Sequence, residues 1–347
     1  MVKKRSFKKR LKRGIKRVFN LCTRYPLELI GTVFCCLCFR LLPLDWASAV
    51  GGFIGRHIGP HLRVSWVARY NLMKAFPEKT PAEIDEIVVG MWDNLMRTFV
   101  EYPHLRQLCA RYDDRIEFVN FEEIETLRDD GKAGIVFSAH IGNWETASII
   151  GVKSGMPLHR IYRSANNPYV EWLFRFFRQK IEGVLVPKGM GGFRQIVDLM
   201  RKKGHLAMLI DQKLKEGIPV DFFGYSAMTT PSLASLVLKY DYPAVPIRSQ
   251  RLKGAHYRLT MEPPLQIEKT GNNEEDTRRF MEKANHVLER WIRDDPAQWL
   301  WVHKRWPDSK RKWKDLYRQR RLWKKGIKPE DVFQAAIQDR HEEVIKV

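Results

Sequence analysis

In the stretch Gly134-Ile135-Val136-Phe137-Ser138-Ala139-His140-Ile141-Gly142-Asn143-Trp144-Glu145, a histidine and a glutamate stand at His-x4-Glu spacing. A carboxylate on one imidazole nitrogen fixes the tautomer and stabilises the imidazolium, leaving the other nitrogen free to take a proton. If a helix starts at Asn143, Glu145 comes round one turn into reach of His140. That pair is a candidate general base with its orienting acid. The same residues also suit a structural reading, a strand-end histidine beside a glutamate that only favours the helix dipole. Two more stretches end strands on polar groups, and a third is a loop. In Tyr162-Arg163-Ser164-Ala165-Asn166-Asn167-Pro168, Arg163 can grip a phosphate or carboxylate with two N–H groups, or form a surface ion pair. In Asp211-Gln212, the acid can orient a base or pair with a cation. Phe222-Phe223-Gly224 through Thr229-Thr230-Pro231 reads as a loop leading into a helix with proline near its first turn.

The elements around these residues follow from periodicity. Ile135, Val136 and Phe137 are the β-branched and aromatic run of a buried strand, and Asn143 is a plausible N-cap with Glu145 in the first turn. From about Ile116 helices and strands alternate. A helix near Phe121 to Arg128 ends at Gly131, and after the His140 strand comes a helix to about Lys153. Then follow a strand at Leu158 to Tyr162, a helix from Tyr169 to Lys180, a strand at Val184 to Val186, a helix from Phe193 to Lys203, and a strand from His205 to Ile210 that runs into Asp211. This order predicts an α/β fold with a mixed, largely parallel sheet flanked by helices. Ligands bind at the carboxyl ends of such strands, where His140, Arg163 and Asp211 fall. Gly189-x-Gly191-Gly192 lacks the Lys-Ser/Thr ending of a phosphate loop and reads as an ordinary helix start. Upstream, residues 46–112 read as helical, with Pro81-Ala82-Glu83 as a start signal and Trp66, Trp92 and Phe99 as core aromatics.

The chain has 347 residues and a net charge of +21, which calls for an acidic partner such as anionic lipid, nucleic acid or an acidic carrier protein. The cysteines, Cys22, Cys35, Cys36, Cys38 and Cys109, show no CxxC pair and suit reduced thiols. Lys3 to Arg17 holds ten basic residues and no acid, and Leu29 to Phe39 is apolar throughout except for Thr32. That unbroken run is about half of the roughly 20 residues a spanning helix needs. A single span would also place the basic arm and the rest of the chain on opposite sides of the bilayer. The expectation is a membrane-associated helix dipping into the inner leaflet, its arm on anionic headgroups. Three regions result: an arm and anchor at 1–45, an α/β domain with a helical N-terminal part at 46–306, and a basic tail at 307–347. Trp299 and Trp301, followed by His303-Lys304-Arg305-Trp306 and basic residues to Lys328, read as a lipid-headgroup contact in preference to a nucleic-acid one, with a solvated basic helix as the plain alternative.

Taken in order and spacing, His140-x4-Glu145, Tyr162-Arg163 with Asn167-Pro168, Asp211-Gln212, Phe222-Phe223-Gly224, Thr229-Thr230 and Trp301-Val302-His303-Lys304-Arg305-Trp306 make the chain resemble the bacterial lipid A biosynthesis acyltransferases of the late, lauroyl or myristoyl type. The resemblance runs from the apolar N-terminal segment to about Trp306. It implies a fold similar to the glycerolipid acyltransferases. It also implies acyl transfer from an acyl-carrier-protein thioester to a hydroxyl of a 3-hydroxyacyl chain on a Kdo-bearing, phosphorylated lipid A precursor. His140 would be the base and Glu145 its partner, with backbone amides near Gly142 and Asn143 as oxyanion donors. Arg163, Asn167 and Asp211 would bind the acceptor. Ser138 lacks a Gly-x-Ser-x-Gly elbow, so transfer is expected to be direct. No cofactor, metal or nucleic acid is expected, and the location implied is the cytoplasmic face of the inner membrane in a Gram-negative cell. Ser164 stands where the family often has proline after the arginine, and the tail beyond Trp306 is long. Other readings are acylation of another phosphorylated glycolipid or a glycerophosphate from acyl-coenzyme A, a non-enzymatic basic protein on membrane or nucleic acid, and a metal hydrolase that would lack a His-Glu-x-x-His motif.

Overall fold

The structure is a computed structural model, and it describes residues 19–162, 165–178, 183, 185–187 and 190–306. Arg163 and the basic tail beyond Trp306 lie outside the described residues. After a π-helical turn at Asn20–Arg24 come helices α1 (Tyr25–Leu41), α2 (Leu44–Ile58), α3 (Ser65–Ala75) and α4 (Pro81–Glu101), then the short α5 (Leu105–Ala110) and α6 (Tyr112–Arg115). The α/β part runs β1 (Ile116–Val119), α7 (Glu122–Asp129), β2 (Gly134–Ser138), α8 (Ile149–Ser154), β3 (Leu158–Tyr162), α9 (Pro168–Arg178), β4 (Leu185–Pro187), α10 (Met190–Arg201) and β5 (His205–Leu209). It continues through a hairpin of β6 (Ile218–Phe222) and β7 (Tyr225–Thr229), then α11 (Ser232–Tyr240), β8 (Ala244–Arg251), β9 (Tyr257–Met261) and α12 (Asn273–Asp294).

A seven-stranded sheet in the order β1-β9-β8-β2-β5-β3-β4 forms the centre. Every pairing in it is parallel except β8 with β9. All five residues of β2 are buried, as a strand covered on both faces requires. Ile135 and Phe137 join the core beneath α3, α4 and α12, while Val136 faces the second core with Ile149, Ile150 and Leu158. The stretch read as a loop at Phe222-Phe223-Gly224 is instead the tight turn of the β6–β7 hairpin. Phe223 and Gly224 both take positive φ, 56° and 73°, the handedness that suits twisted strands.

The N-terminal helices pack as their sequence asks. Thr80 and Glu83 cap each other at the start of α4 with Pro81 in its first turn. Helix α2 lies close against α4, and a Cβ on Gly55 would stand 2.2 Å from the Trp92 carbonyl oxygen. With the turn before it, α1 makes a helix over Asn20–Leu41 of 22 residues, long and apolar enough to cross a membrane. The unbroken apolar run alone understates that length. Both ends of α1 are tied to the body: Asn167 Nδ2 donates to the Tyr25 carbonyl at 3.0 Å, and His104 Nε2 donates to the Phe39 carbonyl at 2.9 Å. The C-terminal strap corrects the sequence reading. Trp299, Trp301 and Trp306 are buried in the core, with Trp306 Nε1 donating to the Phe222 carbonyl at 3.1 Å. These indoles therefore serve neither a headgroup layer nor a nucleic acid.

Candidate active site

Two neighbouring strand ends bring the reactive residues together. Strands β2 and β5 run parallel with Ser138 opposite Leu209, so His140 and Asp211 emerge side by side just beyond the ladder. His140 Nδ1 donates to Asp211 Oδ1 at 2.8 Å. Asp211 Oδ2 accepts the His140 backbone N–H and the Trp299 indole N–H, both at 2.9 Å. Burial alone would raise this carboxyl; the charge of the His140 imidazole and these hydrogen bonds outweigh it and hold Asp211 well below the ordinary range. A carboxylate on Nδ1 leaves Nε2 as the lone-pair nitrogen. The Gln212 side-chain amide stands 3.1 Å from that Nε2 and 3.2 Å from Nε2 of His303.

Glu145 does not hold the imidazole. Its carboxylate accepts Arg178 Nη2 and Tyr102 Oη at 2.5 Å on one oxygen, and Arg178 Nε at 3.0 Å and Arg160 Nη1 at 3.4 Å on the other. Burial pushes this carboxyl up, but the Arg178 charge and hydrogen bonds, helped by Arg160 and Tyr102, bring it from 4.5 down to about 2. The expected helix at Asn143 explains the error. Residues 143–145 form a turn in which Asn143 Oδ1 accepts the Glu145 N–H at 3.2 Å, and regular helix begins only at Ile149. Without the helical turn, Glu145 points to Arg178.

Of the backbone amides near Gly142 and Asn143 expected to meet the oxyanion, that of Gly142 is engaged within the fold. The Gly142 N–H donates to the Gln298 carbonyl at 3.1 Å, and its carbonyl accepts Asn94 Nδ2 at 2.9 Å. Gly142 has φ +57°, and a Cβ there would lie 2.3 Å from the Ser249 carbonyl oxygen. The Asn143 side chain is buried and donates to Glu101 Oε2 at 2.8 Å, part of a network in which Arg251 Nη1 meets Glu101 Oε1 at 2.6 Å. Neither residue lines the cavity; both pin the loop that carries His140. Asn167, expected at the acceptor, makes hydrogen bonds within the fold. It caps α9, its Oδ1 accepting the Tyr169 N–H at 2.9 Å, while its Nδ2 reaches the Tyr25 carbonyl and Glu28 of α1.

A cavity of about 690 Å³ opens at these strand ends. The β5–β3 ladder stops at Arg160 opposite Ala207, whereas β2–β5 continues to Ser138 and Leu209, so β3 parts from β5 where the cavity enters. Its walls are largely apolar, with Val136, Leu185, Ile196, Leu209 and Leu236, and His140, Trp144, Glu145, Arg160, Arg178, Gln212 and His303 also line it.

The profile of the family described as bacterial lipid A biosynthesis acyltransferase matches residues 17–308. The chain belongs to that family. The lipid A biosynthesis acyltransferase of Haemophilus influenzae is 22% identical over 275 residues, which is 78% of this chain and 84% of that protein. The lipid A biosynthesis palmitoleoyltransferase of Escherichia coli K12 is 22% identical over 276 residues, 76% of this chain and 86% of the other.

In this acyltransferase, several residues of the site escaped the sequence reading. Arg178 stands ten residues after Pro168, at the far end of α9, and only the helical register shows that it faces inward. Arg160 and Tyr102 sit within a strand and at a helix end with no motif around them. His303 and Gln212 were within reach, since both lie in stretches that carry the family resemblance. Trp299 is a second partner of Asp211 that no local pattern announces.

Proposed function

We propose that this acyltransferase moves a fatty acyl group from an acyl-carrier-protein thioester to a hydroxyl of a 3-hydroxyacyl chain on a Kdo-bearing, phosphorylated lipid A precursor. The observation that carries this reading is the Asp211-held imidazole of His140, lining a largely apolar cavity. Nε2 takes the proton of the acceptor hydroxyl as its oxygen adds to the thioester carbonyl carbon. The C–S bond then breaks, the imidazolium returns the proton to the leaving thiolate, and an ester and a thiol result. Asp211 holds the tautomer and stabilises the imidazolium. The Gln212 amide, beside the reacting nitrogen, is assigned the developing oxyanion. Glu145 is a positioning residue that keeps Arg178 and Arg160 in the cavity wall. Arg163, which follows the last residue of β3, is assigned to an acceptor phosphate.

The acceptor is anionic and lipid-borne and the carrier is acidic, in keeping with a net charge of +21 and an apolar α1. The assigned location is the cytoplasmic face of the inner membrane, with α1 in the inner leaflet and the Lys3 to Arg17 arm on headgroups. Mass spectrometry of lipid A from cells with and without this protein tests the reading. One additional acyl chain in the presence of the protein is expected, and an unchanged mass overturns it. Purified protein given acyl carrier protein and coenzyme A thioesters in parallel is expected to prefer the former.

A further inference from the structure

Helix α9 turns three of its aromatic residues outward. Tyr169, Trp172 and Phe176 are 39%, 65% and 50% exposed, while Leu173 is buried. Positions 169, 172 and 176 share one helical face, and the rings of Trp172 and Phe176 stack at 6.1 Å. The inward side carries Phe174 on Tyr102, with ring centroids 5.3 Å apart, and Arg178 on Glu145. An aqueous helix hides such an aromatic stripe. This one shows it.

Next to it, α1 displays a second stripe. Leu27, Ile30, Phe34, Leu37 and Leu41 recur at helical spacing and are 58% to 86% exposed. The two helices touch through Asn167 Nδ2, which donates to the Tyr25 carbonyl and to Glu28 Oε2, both at 3.0 Å. Arg175, also exposed, supplies a positive charge beside the aromatic face. Amphipathic aromatics with arginine at their margin suit the boundary between the acyl region and the headgroups of an anionic leaflet.

We propose that α9 is a second lipid contact, seating Tyr169, Trp172 and Phe176 in an anionic leaflet beside α1. The proposal rests on the leaflet placement of α1 argued above. It adds a geometric consequence: α9 has 11 residues, roughly 16 Å of helix, and ends in the cavity wall at Arg178. The surface seated in lipid and Arg178, the partner of Glu145, thus lie on opposite sides of one rigid element, which sets the cavity near the leaflet that delivers a lipid acceptor.

The test uses full-length protein, with α1 intact, floated on vesicles of phosphatidylglycerol and phosphatidylethanolamine. Trp172→Ser/Phe176→Ser is expected to weaken partitioning roughly tenfold or more, the order that follows from removing two aromatic side chains from an apolar contact. Trp172→Phe/Phe176→Leu, which keeps the face apolar, is expected to retain most of the binding. Amide deuterium exchange over residues 168–178 should slow on vesicles in the wild-type protein. Unslowed exchange there, or wild-type partitioning by a folded Ser variant, overturns the proposal. Neither readout requires acyl transfer. Absence of transfer by the wild-type protein on detergent-dispersed acceptor would instead count against the reaction assigned above.

Discussion

A histidine that takes a proton from a hydroxyl needs one tautomer, and in this protein Asp211 imposes it from a neighbouring strand. Asp211→Asn offers an amide to Nδ1 and favours the wrong tautomer, so acyl transfer is expected to fall on the order of 10³-fold, comparable to loss of a general base. His140→Ala should be as damaging, and His140→Ala/Asp211→Asn scarcely worse than either alone, since the two act as a unit. Single-turnover rates decide the matter; defects that multiply would mean separate jobs. Glu145 makes a different prediction. Its folded carboxyl lies at about 2 against an ordinary 4.5, so its ionised form stabilises the fold in full above about 4.5, and that contribution is lost as pH falls towards 2. Glu145→Gln should therefore be less stable at neutral pH yet lose stability less steeply through the acid range, as read by urea unfolding at stepped pH. An equal slope in both proteins would remove Glu145 from the acid-sensitive set.

At the scale of elements, the His140 loop depends on Gly142 more than on any cap. Its φ of +57° and the Ser249 carbonyl 2.3 Å from a would-be Cβ leave no room for a side chain. Gly142→Ala should cost on the order of 1–3 kcal/mol for the strained backbone, and more for the contact, with a matching loss of transfer. A variant with wild-type unfolding and activity would show that the loop is free to move. Much of the α/β order was legible because β2, β3 and β5 are short runs rich in apolar residues, separated by helices with clear periodicity. The site was less so. Asp211 meets His140 only because β5 lies beside β2, and a sequence does not state which parallel strands are neighbours. In residues 241–298 the strands were less legible. Pro246 argues against a central strand, yet β8 lies between β9 and β2 and carries it. Helix α12, capped by Asn272, was within reach of periodicity.

At the scale of the whole molecule, charge and attachment together govern topology. The arm from Lys3 to Arg17 favours the anionic cytoplasmic face, and under the proposed function the catalytic domain would work on that same face. A helix of 22 residues is long enough to carry its ends to opposite sides. Its attachments oppose that course. Tyr25 near its start is bonded to Asn167, and Phe39 near its end to His104, so the folded body accompanies α1 over most of its length. A helix crossing the bilayer would have to drag Asn167 and His104, with their surroundings, into the hydrocarbon, or break both bonds. A helix lying along the leaflet keeps them and still buries the stripe from Leu27 to Leu41. Tags placed at residue 1 and at residue 347 are therefore both expected to be reached by protease only from the cytoplasmic side. Cleavage of the residue 1 tag from the outer face of intact inner membranes would establish a span, and would require α1 to leave Asn167 in the membrane-bound protein.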